Sequence, residues 1–450
     1  MSTKATVTRL AYGGDGVAKL ESGKTMFVNG GLPGDIVEVE VVEDRKNFCR
    51  AKVVEVLEPS ESRIAPKCKY AGLCGGCQLQ TLAYDAQLEW KRRFVVDALS
   101  RIGKVEDAEE LVGQCVPSKR EWGYRNKIEL VPVVSGGKMH LGYHAAGSAA
   151  AGASAAASGD SPAPAIVPID ECLLLPKQCQ KAPKALAGAL RYLKATEFAL
   201  ERVSVRTSVR TGSTQVGIWT APGYFPRNAA AGVISSAFKN TGIVRMLLKG
   251  EASARKVSKV EILSGDEVWR EHLGEFDMAA SGPSFFQVNT RGAEHLVDLA
   301  MDGLQIEESD TCCDLYCGTG TFTLPMAARS DDVLAVESVS SSLRDLRRNL
   351  ADNGLDADVI GGDAVREAQS IGKVDKLVMD PPYRGMGPRF ADTVSTLDPQ
   401  RIALVSCNPT TLARDIVSLR EIGYKLESAT PVDMFPQTFH IETVCILSKC

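Results

Sequence analysis

Cys312-Cys-Asp-Leu-Tyr-Cys-Gly-Thr-Gly-Thr-Phe322 is the stretch on which the fold turns. The short run up to Leu315 reads as a buried strand. Gly318 and Gly320 read as a tight turn where backbone can pass close to a ligand, and a helix is expected next. Cys312 to Leu315, Val333 to Glu337, Lys376 to Asp380, Ile402 to Ser406 and Thr443 to Leu447 are the candidate strands. Helical segments lie between the first four. That rhythm builds a doubly wound α/β domain with a mainly parallel sheet. Ligands in such sheets bind beyond the carboxyl ends of the strands, so the residues at those ends are candidates for chemistry.

Glu337 closes the second strand, where a carboxylate can accept hydrogen bonds from ribose hydroxyls. Asp363, in Gly361-Gly-Asp-Ala364, follows a short candidate strand and could receive an adenine amino group. Asp380-Pro-Pro-Tyr383 closes the strand after that. A dinucleotide fingerprint wants a third glycine where this chain has Thr323. The Gly-x-Gly turn, the acidic strand end and Asp-Pro-Pro together look like an S-adenosylmethionine-dependent methyltransferase.

Asp-Pro-Pro-Tyr is also the pattern of amino-methyltransferases acting on adenine, whose exocyclic amine attacks directly and needs no protein nucleophile. The next strand, however, ends in Ser406-Cys407-Asn408-Pro409, which sets a cysteine at the cofactor edge. Carbon 5 of uracil is a poor nucleophile. A thiolate added at carbon 6 converts the ring to an enolate whose carbon 5 can attack a sulfonium methyl, after which a base must take the carbon 5 proton. Cysteine is intrinsically very nucleophilic even when only a small fraction is ionised. Read alone, Cys407 would be a small buried hydrophobe; Asn408-Pro409 and the C-terminal His440-Ile-Glu442 point further.

With those motifs in order, the chain resembles the RNA uracil-C5-methyltransferase family over nearly its whole length. Residues 1–60 resemble its RNA-binding TRAM domain, a small OB-like barrel. Phe285-Phe-Gln-Val-Asn289, Asp314 to Gly320, Asp380-Pro-Pro, Ser406 to Pro409 and His440 to Glu442 match its methyltransferase motifs. The resemblance implies Cys407 as nucleophile and Glu442 as proton-abstracting base. It further implies that Gln287, Tyr316, Glu337 and Asp380 line the cofactor pocket. One departure stands out: an arginine is expected directly after Asp-Pro-Pro, whereas this chain has Tyr383 and then Arg384, which leaves open the residue that enters the site.

Cys68, Cys74 and Cys77 put three thiols in one short loop. Thiolates suit iron–sulfur clusters and zinc alike. Spacing allows Cys115, Cys172 or Cys179 as a fourth ligand. The family resemblance selects Cys172 and implies a [4Fe–4S] cluster, expected to pin the central domain rather than perform redox work. Nearby Lys67, Lys69, Arg125 and Lys127 could hold phosphates.

The remaining features set the context. The 450 residues suggest two to three domains. The expected parts are an RNA-binding barrel at 1–60, a β-rich central domain at 61–280 with the cluster, and a Rossmann-like class I methyltransferase domain at 281–450. Within the central domain, Trp122 to Leu130 and Leu200 to Arg206 are candidate strands, and an Ala/Ser/Gly-rich flexible insertion is expected at 145–165. The barrel is expected to add RNA affinity without performing chemistry. A net charge of −4 does not itself announce a nucleic-acid partner, though local basic clusters can. No apolar run spans a membrane, and 13 cysteines without an export signal indicate a reducing cytoplasm. The partner is then a structured RNA, ribosomal before transfer RNA, and the enzyme a monomer. A non-catalytic iron–sulfur RNA-binding protein is the rival from another class; it has no need of Cys407 and Glu442.

Overall fold

The computed structural model describes residues 2–147, 165–250, 256–387 and 389–450. The Ala/Ser/Gly-rich stretch falls mostly on 148–164, outside the described residues. No helix is long and apolar enough to cross a membrane among the described residues.

The first 58 residues supply a six-stranded sheet. Its opening strand is broken at Val7 and Thr8. Ser2–Thr6 pairs antiparallel with Ile36–Asp44, and Arg9–Leu10 pairs with Gly16–Lys19, so one segment closes the sheet into a barrel. Alternating side chains such as Val37 and Val39 fill it, together with Met26, Val28 and Ala51, as a period-two pattern requires.

A second, seven-stranded sheet runs from Lys127–Ser135 to Lys256–Ser264 in the chain. Helices Ala182–Tyr192 and Arg227–Ala237 cover it through Leu186, Leu190, Ala230 and Ile234. The strand expected from Trp122 starts only at Lys127. Gly123, Arg125 and Asn126 instead give their backbone N–H groups to Leu173, Leu174 and Val288, so this segment ties the stretch after Cys172 to the loop at Val288.

The C-terminal sheet has the order Asp358–Gly361, Asp332–Glu337, Thr311–Leu315, Lys376–Met379, Arg401–Ser406, Glu442–Lys449, Tyr424–Val432. The first five are parallel, and Glu442–Lys449 runs antiparallel to both its neighbours. Chain order reverses between Thr311–Leu315 and Lys376–Met379, the kind of switch point at which such sheets bind ligands. Both faces are covered, so the central strands read as apolar runs rather than alternating ones.

Two upstream segments belong to this core by packing. Helix Tyr84–Arg101 sets Val95, Ala98 and Leu99 among Leu412, Ile416 and Leu377. The hairpin Val268–Leu273/Phe276–Ser281 buries Trp269, Met278 and Ala280 beside Phe322 and Leu346. Asn349 secures the hairpin by bonding both the N–H (2.7 Å) and the carbonyl (3.1 Å) of Ala279. Lys91, on the upstream helix, is fully buried against Asp433 at 2.5 Å and also donates to the Phe435 carbonyl.

Candidate active site

Sheet register assembles the chemical pair. Ser406 is opposite Thr443. Side chains alternate faces along a strand, and opposed pairs share a face. The next residues outward, Cys407 and Glu442, therefore share the other face at the carboxyl edge. Asn408 stops the strand and caps helix Pro409–Glu421 by accepting from the Thr410 N–H at 3.0 Å, with Pro409 at the first helical position. Glu442 is buried, and its Oε2 has no hydrogen-bond partner. Burial, then the charge of Asp380, pushes its carboxyl well above the usual range. Burial, then Glu442 and Asp380, likewise raises the Cys407 thiol.

The rest of the edge is acidic and tightly turned. Gln287 donates to Asp380 Oδ2 at 3.3 Å, while its backbone carbonyl accepts from the Asn126 side chain, just before the second sheet's strand Lys127–Ser135, at 2.8 Å. Tyr316, Gly318 and Gly320 all have positive φ, 69°, 57° and 100°. A side chain at Gly320 would come within 2.5 Å of Leu324 and 2.7 Å of Leu346, at a φ that other residues rarely adopt, so glycine is favoured there. The turn swings the Gly318 N–H onto Glu337 Oε2 at 3.1 Å, and Val339 N–H holds the other oxygen at 2.7 Å. Asp363 caps helix Ala364–Ile371 and lies close enough to Tyr316 to help burial raise that phenol to about 12.

Sequence reading gave Asp314 no role of its own, yet it is fully buried at the switch point. One oxygen accepts from Thr323 Oγ1 at 2.6 Å and the other has no partner. Burial holds its carboxyl up to about 7. Tyr383 and Arg384 are both exposed, and the Tyr383 hydroxyl lies beside that of Tyr12. His440 is held down to about 4 by burial, then by Lys91 and Arg125, and packs against Phe439. It is neutral near pH 7.

Comparison with known proteins fits this arrangement. Residues 3–54 match the family model of the TRAM domain, and residues 269–361 and 369–450 match that of tRNA (Uracil-5-)-methyltransferase. Uncharacterized RNA methyltransferases of Clostridium tetani and Halalkalibacterium halodurans are 30% and 31% identical. Those alignments cover 98% and 99% of this chain and 95% and 96% of theirs. The chain belongs to the RNA uracil-5-methyltransferase family. It is an S-adenosylmethionine-dependent RNA methyltransferase with an N-terminal TRAM domain. The crystal structure of Pyrococcus abyssi tRNA (uracil-54, C5)-methyltransferase with S-adenosyl-L-homocysteine is similar at 25% identity and a TM-score of 0.73, covering 99% of this chain and all of that one.

The methyltransferase carries a second feature away from the sheet edge. Cys68, Cys74, Cys77 and Cys172 line one cavity with Arg125 and Tyr143. Cys115 lies in the core of the catalytic sheet, and Cys179 packs in the second domain with Thr207. Burial, with some help from neighbouring thiols, raises Cys74 to about 11 and Cys77 to about 12. Among the described residues, no three His, Cys, Asp or Glu side chains converge as a one-ion site does. Two of the cations expected to hold phosphate are committed inward instead. Arg125 is turned into this cavity, and Lys127 pairs with Glu129 at 2.6 Å, burial lowering its ammonium to about 8.

Proposed function

We propose that this methyltransferase acts on carbon 5 of a uridine through a covalent adduct between Cys407 and carbon 6. The observation that carries the reading is the register of Ser406 opposite Thr443, whose extension by one residue brings Cys407 beside Glu442 at the cofactor edge. The unpaired, buried oxygens of Asp314 and Glu442 and the open space where a side chain at Gly318 would stand fit a polar, cationic cofactor. S-adenosylmethionine supplies an electrophilic methyl on a sulfonium, whose positive charge favours ionised carboxylates nearby. Gln287, Tyr316, Gly318, Glu337, Asp363 and Asp380 are assigned to hold it. Cys407 gives up its proton to solvent and adds to carbon 6 as the thiolate. Carbon 5 takes the methyl group, Glu442 removes the carbon 5 proton, and the Cys407–carbon 6 bond breaks to release the product. The raised basicity of Glu442 suits that proton transfer.

Ribosomal RNA is the proposed target, as the resemblance implies. A transfer-RNA target is the second reading, favoured by the full-length similarity to the Pyrococcus abyssi transfer-RNA enzyme. Nucleoside analysis of both RNA pools from cells lacking the gene decides between them. The expected result is 5-methyluridine missing from ribosomal RNA. Loss from transfer RNA alone selects the second reading, and loss of N6-methyladenosine would overturn the uridine reading.

The four cysteines are assigned to a [4Fe–4S] cluster. Four thiols spread around a cavity suit a body several atoms across, and cationic iron would offset the cost of ionising buried thiols. The cluster would fix the loop 68–77 against Cys172. Anaerobically purified protein is expected to be brown and to contain iron. Cys172→Ser should lose that iron, and Cys115→Ser and Cys179→Ser should keep it. Colourless protein with stoichiometric zinc would reject the assignment.

A further inference from the structure

Tyr12 comes from the barrel, 395 residues upstream of the cysteine whose backbone it touches. It follows Arg9–Leu10 in a turn closed by two backbone bonds, Ala11 N–H to Asp15 at 2.8 Å and Gly14 N–H to Ala11 at 3.0 Å. Gly13 and Gly14 have φ of 121° and 93°, which lets the chain reverse while projecting Tyr12 away from the barrel. Its ring stands edge-on to Phe94 at 5.7 Å and to Phe439 at 5.3 Å. Its hydroxyl donates to the Cys407 carbonyl oxygen at 3.2 Å. The barrel is seated for this reach: Leu10 and Leu32 share a core with Leu79, Leu82 and Trp90, and Arg9 pairs with Asp97.

The position of that carbonyl matters. Ser406 is the last residue in the ladder, and the Asn408 carbonyl already serves the helix through Leu412. The Cys407 carbonyl lies between these two regular elements, on the residue that carries the nucleophile. Burial, then the neighbouring Tyr383 hydroxyl, raises the Tyr12 phenol above its ordinary value, so it stays a donor.

We propose that Tyr12 is a positioning residue of the catalytic centre: its hydroxyl fixes the Cys407 peptide and so aims the thiol at the target base. The proposal rests on the reading of Cys407 as nucleophile. The TRAM barrel is then a structural part of the active site as well as a handle for RNA, which is more than its sequence implied.

Full-length Tyr12→Phe removes the hydroxyl and keeps the ring; Tyr12→Ala removes both. Both are assayed with S-adenosylmethionine and unmodified RNA transcripts from the pool that accepts methyl groups, beside wild type and Cys407→Ala. Tyr12→Phe is expected to lower kcat roughly threefold to tenfold, the range of one neutral hydrogen bond. KM for RNA should stay within about twofold and the unfolding temperature unchanged. A purely packing role would be rescued by Phe, so wild-type kcat in Tyr12→Phe overturns the proposal. A change confined to KM for RNA, steep in salt as phosphate contacts are, also overturns it and returns Tyr12 to the binding surface. Turnover in Cys407→Ala would sink the nucleophile reading itself. Inactive Cys407→Ala with wild-type Tyr12→Phe sinks only the role of Tyr12.

Discussion

Cys407→Ala should form neither product nor adduct, whereas Glu442→Gln should accumulate methylated RNA covalently joined to protein. Without the thiol nothing adds to carbon 6, and carbon 5 stays too poor a nucleophile to take the methyl. With the thiol but no carboxylate, addition and methylation proceed. The carbon 5 proton then stays in place, and Cys407 cannot be expelled. Losing a general base typically slows its step by roughly 10²–10⁴, about 3–5 kcal/mol of barrier, enough to make resolution slower than formation. Glutamine is close in shape, so the buried site should survive the change. Denaturing gels with labelled RNA should show a slow band for Glu442→Gln that the added Cys407→Ala change removes. Methylation by Cys407→Ala would end the covalent mechanism.

Lys91→Met should cost about 3–5 kcal/mol of stability, the usual penalty for stripping one partner from a buried ion pair. Lys91 and Asp433 are both fully buried, and Asp433 also accepts from the Phe435 N–H at 3.1 Å. Removing the ammonium leaves an uncompensated charge in a segment that leads, nine residues on, to Glu442. Urea melts followed by tryptophan fluorescence should show the loss, and activity should fall with it. The double variant Lys91→Met/Asp433→Leu should recover most of the stability, because an apolar pair often replaces a buried ion pair at little cost. A single variant as stable as wild type would mean that the pair contributes nothing at this seam.

Local chemistry was legible where one residue type has few alternatives. Gly318 and Gly320 announce a turn because glycine takes positive φ without steric cost, and Asn408-Pro409 reads as a helix start because Asn caps and Pro tolerates the first position. What depends on a distant partner was not. Nothing beside Lys91 in the sequence marks it for burial; its partner, Asp433, is 342 residues away. Lys127 and Arg125 look like phosphate ligands until Glu129 and the cysteine cavity take them up. Tyr12 is an aromatic in a glycine-rich turn, with nothing local to say that its hydroxyl ends at Cys407. Trp122 to Asn126 alternates like a strand, but its donors are spent on Leu173 and Leu174, just after Cys172, and on Val288.

Cys407 and Glu442 extend from two neighbouring antiparallel strands, Arg401–Ser406 and Glu442–Lys449. Their spacing is inherited from the backbone lattice, roughly 4.5–5.5 Å between opposed residues. Val444 and Cys445, on opposite faces of the second strand, are both buried, so hydrophobicity barely penalises a one-residue slip along it. Such a slip would nonetheless turn Glu442 to the opposite face and bring Ile441 or Thr443 in its place. The separation between thiol and carboxylate is therefore a whole number of residues: the pair can be miscounted, but it cannot gradually drift.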